Sequence, residues 1–583
     1  MRKAWTVFFA FVLLFASKVY GQEETEISRV FVTIEGLNGR VLTNSALLLR
    51  IYEYHSKVAP GDGRVRYLHN QAERDFFRAL TPYGYYNYQL NSHLEKRDHD
   101  WYATYTVALG DPIPIGNVSI QIKGAGEQDP SFQKLINRLP IRSGAPLLHS
   151  DYESAKSQLR RHASERGYYQ AAYQTSTLRI DVESYQAHIE LILNTGPRYQ
   201  FGDIRIAPGH LDEDVMRRFI PFEKGDNVSA TELINLQLGL SDSDYFSRVE
   251  VQPLWTEASD KHQVPVNIEY EPNKRTHYQV GLGYGTDTGA RLKFEQNRRW
   301  VNTRGHRFNA QLQASEILTN IGTRYVIPGS QPQSDQYILR ALWTDEDSST
   351  IRSERFTYGA SWQSQRERLQ RIYSIDWQDE RDYFEGDIRK TQYLMPSAQW
   401  TRVETPNRLN VLDGWRLSLT LRGATKQLFS DSDFLQTLAS AKYVHSFGSR
   451  TRALARIELG TSITSDFDQV PTSLRFFTGG DRSVRGYAYR SISPRNDNNE
   501  VEGARNLVVS SLEFDYSFRP NWRVAAFVDA GNAFNDIQES FKVGLGFGFR
   551  WQSPIGPVRF DFASGLSDPG DSLRLHLTIG PDL

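Results

Sequence analysis

From about Arg275 to Leu583, apolar and polar residues take turns. Leu573, Leu575, Leu577 and Ile579 alternate with Arg574, His576 and Thr578. Leu512, Phe514, Tyr516 and Phe518 alternate with Glu513, Asp515 and Ser517. A period of two belongs to β-strands, whose successive side chains point to opposite faces. A soluble sandwich alternates too, but here Trp343, Trp362, Trp377, Trp400, Trp415, Trp522 and Trp551 cluster near candidate strand ends. Segments of about 10 residues, apolar outside and polar inside, with aromatic girdles, mark transmembrane β-barrels. Sixteen candidate strands run from 277–284 to 573–580. In a bilayer they must close, because an open edge leaves backbone groups unsatisfied. Residues 276–583 are therefore predicted to form a 16-stranded antiparallel transmembrane β-barrel.

The remainder narrows the class further. The net charge of −1 supplies no basic field for nucleic acid. Without cysteine there is no disulfide framework, thiolate metal site or cysteine nucleophile. Met1-Arg2-Lys3, an apolar run from Ala4 to Ala16 and small residues up to Gly21 predict a signal peptide over 1–21. After it, no run of 18 apolar residues predicts a membrane-spanning helix.

Between these parts the chain repeats. Arg29–Ile34, Asn117–Ile122 and Gly202–Ile206 read as short strands, each followed by turn residues and two helical patterns. The second helices end on Gly84-Tyr85-Tyr86, Gly167-Tyr168-Tyr169 and Asp244-Tyr245-Phe246, with Tyr168 and Tyr245 following the tyrosine before them by 83 and 77 residues. Ser150, with Glu153 three residues on, predicts a capping box. The expected organisation is three β-α-α-β-β units over 22–112, 113–197 and 198–275. They resemble polypeptide-transport-associated (POTRA) domains, which sit in the periplasm before outer-membrane barrels. The first is the loosest match, with the insert Ala59-Pro60-Gly61-Asp62-Gly63. Open sheet edges suit capture of extended chains; the units can also be read as spacers.

The longest gap between candidate strands, from about Thr461 to Arg505, holds Thr478-Gly479-Gly480-Asp481-Arg482-Ser483-Val484-Arg485-Gly486-Tyr487. Loops longer than roughly 12–15 residues are usually functional or disordered. On the strand near 522–530, alternation puts Phe527 and Asp529 inside and Val528 outside, while Glu513 faces inward on the strand before it. A guanidinium fork matches a carboxylate. An Arg485–Asp529 pair is expected, with Glu513 as second acceptor, and exchanging the two charges is expected to restore part of what Arg485→Ala removes.

Three motifs carry a more specific resemblance. Val484-Arg485-Gly486-Tyr487 is similar to the loop motif of the BamA/TamA superfamily of outer-membrane assembly proteins. Phe527-Val528-Asp529-Ala530-Gly531 resembles its Phe-x-Asp-x-Gly strand, and Gly556-Pro557-Val558-Arg559-Phe560-Asp561 its penultimate strand. Three POTRA-like units and a Gly580-Pro581-Asp582-Leu583 ending resemble the TamA-like branch. The resemblance implies a cell outer-membrane barrel with its POTRA units in the periplasm. It implies a lateral seam between the first and last strands, at Tyr278, Gly281 and Gly283 against Leu577, Gly580 and Pro581. It implies unfolded outer-membrane protein or autotransporter clients, and an inner-membrane-anchored TamB-like partner. Neither enzymatic activity nor a cofactor is expected. A polypeptide secretion pore of the two-partner type is the alternative, and a passive porin a third reading. Gly570-Asp571-Ser572-Leu573 reads as turn chemistry rather than a lipase motif.

Overall fold

The structure is a computed structural model that describes residues 27–583 except 286–287, 349–350, 385–386, 408–410, 497–500, 554–555, 568–572 and 580–583. The expected signal peptide, the motif at Gly570 and the seam residues Gly580 and Pro581 lie outside the described residues. The chain packs as two compact units. One runs to Asp203 and includes 224–231 and 254–265; the other holds 204–223, 232–253 and 266–583.

The N-terminal part begins with β1 (Arg29–Glu35), α1 (Gly39–Leu48), β2 (Lys57–Val58), α2 (Asp62–Asn70), α3 (Ala72–Leu80), β3 (Gln89–Arg97) and β4 (Asp100–Ala108), with sheet order β2-β1-β4-β3. Next come β5 (Ile115–Lys123), α4 (Pro130–Ile136), α5 (His149–Glu165), β6 (Ala172–Asp181) and β7 (Gln186–Asn194), ordered β5-β7-β6. β8 (Gln200–Ile206), α6 (Glu213–Arg217), α7 (Ala230–Asp242), β9 (Phe246–Pro253) and β10 (Gln263–Pro272) follow, ordered β8-β10-β9. In the first two sheets the opening strand runs parallel to the last, which is central, and the third strand is antiparallel to it. Each sheet thus keeps open edges.

Two local expectations differ. The first set carries a third helix and the two-residue strand β2, because Gly61, at φ +104°, turns the chain into α2. Asp62, at the start of that helix, accepts from Lys96 Nζ at 3.0 Å and from Trp101 Nε1 at 3.0 Å. The capping box at Ser150 is not formed. α5 begins one residue earlier, with Leu148 as N-cap and no side-chain cap. His149 there bonds Tyr86 Oη at 2.7 Å, and Glu153 pairs with Lys156 at 3.1 Å instead.

The repeated aromatic pairs turn out to be joints. Gly84 O accepts from Ile113 N at 2.8 Å, Gly167 O from Tyr199 N at 2.9 Å, and Tyr245 O from Asn273 N at 2.9 Å. A Cβ on Gly84 would stand 2.6 Å from Leu147 O, and one on Gly167 2.8 Å from Val228 O, so the chain crosses too closely there for any side chain. The second aromatic then docks on the following element: Tyr86 on His149, and Tyr169 stacked 4.3 Å from Trp255. In the third pair Tyr245 Oη donates to Gly305 O at 2.5 Å, beside the bond from Asp212 N to Thr303 O at 2.8 Å.

The barrel ladder comprises β11 (Thr276–Gly285), β12 (Gly289–Arg298), β13 (Arg307–Ser315), β14 (Leu318–Pro328), β15 (Asp335–Asp347), β16 (Arg352–Arg366), β17 (Leu369–Phe384), β18 (Asp387–Glu404), β19 (Gly414–Ala424), β20 (Phe434–Phe447), β21 (Thr451–Thr464), β22 (Asn506–Arg519), β23 (Trp522–Phe534), β24 (Lys542–Ser553), β25 (Gly556–Gly565) and β26 (Arg574–Ile579). All sixteen join in one antiparallel sheet in chain order. Parity follows the alternation: Leu512, Phe514, Tyr516 and Phe518 are exposed, whereas Glu513 and Asp515 are buried. Trp362, Trp400, Trp415, Trp522 and Trp551 lie toward the strand ends on the side where β11 begins, and Trp522 and Trp551 stack at 5.8 Å. β11 and β26 approach one another, yet among the described residues no register joins them.

Burial pushes His149 below its ordinary value of 6.5, against a smaller pull from Glu153, and burial lowers His162 likewise. A lowered folded value means the unfolded chain binds the proton first. The stability these imidazoles lend is therefore complete above about pH 6.5 and is lost as pH falls through the lowered folded values. Limited proteolysis of the full chain between pH 8 and pH 5 is expected to show acid-enhanced cleavage within 113–197, flattened by His149→Gln with His162→Gln.

Candidate functional site: a lumenal arginine clasp

The segment between β21 and β22 folds into the ladder's interior. Phe476, Val484, Tyr487 and Ile492 form a buried cluster with Ala504, Leu507, Val509 and Ala533. Arg485, 6% exposed, lies beside Asp529, which is fully buried. The guanidinium grips that carboxylate at two points along its Nε–Nη2 edge: Nε to Oδ2 at 2.7 Å and Nη2 to Oδ1 at 3.0 Å. The Arg485 backbone N–H adds a third bond at 3.1 Å. Nη1 reaches Glu513 Oε2 at 2.9 Å and also Asp561 Oδ2 at 3.0 Å. Ser511 Oγ donates to Asp529 Oδ1 at 2.6 Å, and the guanidinium carbon lies 3.3 Å from the centroid of the Phe527 ring. Charge-assisted, two-point bonding of this kind is the strongest that a guanidinium makes.

The sheet makes room for this loop by omitting side chains. A Cβ on Gly544 would fall 1.9 Å from Arg485 O, and one on Gly531 would be 3.0 Å from Val484 Cγ2. Gly546 leaves space for the Phe527 ring and Gly565 for Tyr487. Gly486, at φ +98°, passes so close to β25 that its Cβ would stand 2.6 Å from Gly565 N. Tyr487 Oη donates to Val543 O at 3.3 Å and accepts from Ser567 N at 3.2 Å. The polar-in, glycine-rich face of β24 is thus a seat for backbone.

The structure also assembles residues that alternation did not single out. Arg550 Nε bonds Glu513 Oε1 at 2.9 Å, and its Nη1 pairs with Asp561, so two guanidiniums share three carboxylates. Gly486 N donates to His576 Nε2 at 3.1 Å, which ties the motif to the last strand. Arg559 is close enough to attract Glu513 and Asp561. Gly556 opens β25 opposite Ser553. A second anchor holds the loop's beginning. Ser473 N donates to Glu380 Oε1 at 3.0 Å, Thr472 N to Asp382 Oδ2 at 3.1 Å, and Arg389 pairs with Asp382 at 2.7 Å. Further along, Arg490 pairs with Glu346 at 2.8 Å. The one signal for this anchor was acidic residues recurring at inward positions of an unusually long hairpin, β17–β18.

The described seam residues lie on the first and last strands. Tyr278 is exposed and stacks on Phe294 at 6.1 Å; Gly281 and Gly283 lie opposite Lys293 and Arg291 of β12, and Leu577 lies opposite Phe560 of β25.

A family model described as the Omp85 superfamily domain matches residues 272–582. The chain belongs to the Omp85 superfamily. A second model, described as POTRA domain TamA domain 1, matches residues 32–109, the unit whose sequence departs most from the repeat. Membership places the barrel in the outer membrane and the POTRA units in the periplasm. The outer membrane protein assembly factor BamA of Nitratidesulfovibrio vulgaris is 23% identical over 398 residues, 63% of this chain and 49% of that protein. The chain thus spans about half the length of that curated relative. Among solved structures, BamA from Haemophilus ducreyi lacking POTRA domains 1–3 aligns at a TM-score of 0.69 and 18% identity, over 80% of this chain and 99% of that one, and shares the fold. CdiB from Acinetobacter baumannii aligns at a TM-score of 0.44 and 12% identity, over 93% and 99%.

Removing the guanidinium strips Asp529 of its two-point partner and leaves Glu513 and Asp561 to Arg550 and Arg559. Breaking a buried ion pair costs about 3–5 kcal/mol. Arg485→Ala is expected to lower the denaturant midpoint of the folded barrel accordingly, read by heat-modifiable gel mobility. Gly544→Ala is expected to do the same with every charge intact. With three acceptors, the exchange Arg485→Asp/Asp529→Arg is now expected to give no recovery, because the new aspartate meets Glu513 and Asp561.

Proposed function

We propose that this chain is an outer-membrane translocation and assembly factor of the TamA-like branch, acting on unfolded β-barrel and autotransporter clients. The observation that carries the reading is a TamA-type first POTRA unit and an Omp85 barrel in one chain. Extended client segments add to the open edges of the POTRA sheets through main-chain hydrogen bonds. They then pass to the seam between β11 and β26, where glycines at 281 and 283 weaken side-chain packing. Burial of the client's apolar face in lipid drives insertion, so the chain performs no bond chemistry and requires neither nucleotide nor metal. A TamB-like protein anchored in the inner membrane delivers clients to the POTRA units. The clasp keeps the C-terminal strands in register beside a seam that must yield.

The inward loop supports this reading over a secretion pore, since Phe476, Val484, Tyr487 and Ile492 pack inside the ladder against Leu507, Val509 and Ala533. Cysteines at Tyr278 and Leu577 are expected to form a disulfide, and that bond is expected to abolish client insertion into proteoliposomes, with recovery on reduction. Full activity of the cross-linked protein would instead assign the route to the lumen.

A further inference from the structure

The outer wall carries a dent midway along the ladder, far in strand order from the seam. Two rungs define it. Trp400, Leu419, Ala439 and Leu459 lie side by side across β18–β21, and Arg402, Leu417, Ala441 and Ile457 form the next rung. Leu438 packs against the lumenal loop, so Ala439 and Ala441 face outward. Leu417, Leu419, Ile457 and Leu459 are exposed large apolar residues, and the two alanines between them sink the surface. The cavity measures about 340 Å³ and is lined almost wholly by carbon. That falls at the low end of the roughly 300–1,000 Å³ typical of small-molecule sites.

Its depth in the membrane follows from topology. β11 leaves the periplasmic units, so in an antiparallel ladder β18 ends, and β17 begins, on the periplasmic side. Arg402 and Leu369 stand at that end of the dent. Trp400 and Trp415 mark the lipid–water boundary there, and the Arg402 guanidinium lies 5.5 Å from the Trp415 ring. Glu404 is shared by Arg402, at 2.9 Å, and Arg368. Two cations on one carboxylate leave one positive charge unmatched, and both arginines are more than half exposed.

We propose that this dent seats one acyl chain of an anionic phospholipid of the periplasmic leaflet, with its phosphate against Arg402 and Arg368. The chain lies along Ala439 and Ala441, where neighbouring strands carry branched side chains. A lipid that fills this wall braces β17–β21, opposite the part of the ladder that opens for clients. The site is independent of how clients are routed.

Native mass spectrometry of the full chain in mild detergent, titrated with phosphatidylglycerol, tests it. Wild type is expected to hold one lipid more tightly than all later ones. Ala441→Trp fills the dent and is expected to abolish that first step. Arg402→Gln with Arg368→Gln is expected to weaken it by roughly tenfold or more, as removing two cations near an anionic group does. Heat-modifiable mobility confirms that each variant is folded; Ala439→Leu replaces Ala441→Trp if the latter is not. Undiminished first-lipid binding in either the filled or the arginine variant overturns the assignment, as does uniform, non-saturating lipid uptake by wild type.

Discussion

The seat of the inward loop on β22–β25 depends on one guanidinium. Asp529, Glu513 and Asp561 come from β23, β22 and β25 and converge on a region closed to water. Three carboxylates so placed cannot all stay ionised without nearby cations, because the low local dielectric magnifies both their repulsion and their loss of hydration. Arg485 reaches all three, and Arg550 completes the set from β24. The arrangement is worth having only if the loop can approach the wall, which is why β24 presents glycines where an ordinary strand would present side chains. Charge and space are thus two halves of one device, the first supplied by Arg485 and the second by Gly544.

The loop is not held by that device alone. Glu380 and Asp382, both almost wholly buried, fix its beginning to the long hairpin β17–β18, and Gln436 Nε2 donates to Leu474 O at 2.7 Å. The arginine motif is therefore presented by a segment pinned on two separated walls. A loop held at one point would lose backbone entropy on each approach; this one is already positioned, so Arg485 meets its partners with its geometry set. The outer dent at Ala439 and Ala441 lies on β18–β21, which also carry Arg389 and Gln436 of the second anchor on their inner side.

Alternation revealed the ladder because each barrel strand faces lipid on one side and the lumen on the other, leaving parity in every window. Parity likewise put Asp529 and Glu513 inside and brought Arg485 to them. It could not disclose Arg550 and His576, whose partners include Glu513 two strands away and the Gly486 backbone of the loop. Glu380 and Asp382 were hidden because their partners Ser473 and Thr472 lie in the loop some 90 residues further along the chain. In the periplasmic part, Ser150 had the chemistry of a cap, but the helix start was taken by His149, whose bond to Tyr86 no local pattern announces. The Gly-Tyr-aromatic repeat was visible as a repeat; its purpose as a joint emerged only once the following unit was seen to donate to the same carbonyl.

The clasp also imposes an order on this chain's own maturation. Arg485 has no complete set of partners until β22, β23, β24 and β25 lie side by side, and Gly486 has none on His576 until β26 has joined them. A guanidinium entering earlier would be stranded without its carboxylates, and carboxylates assembled without it would repel the closing hairpins. The inward seat of the loop and the pairing of the last strands therefore rest on the same residues, so neither is complete without the other.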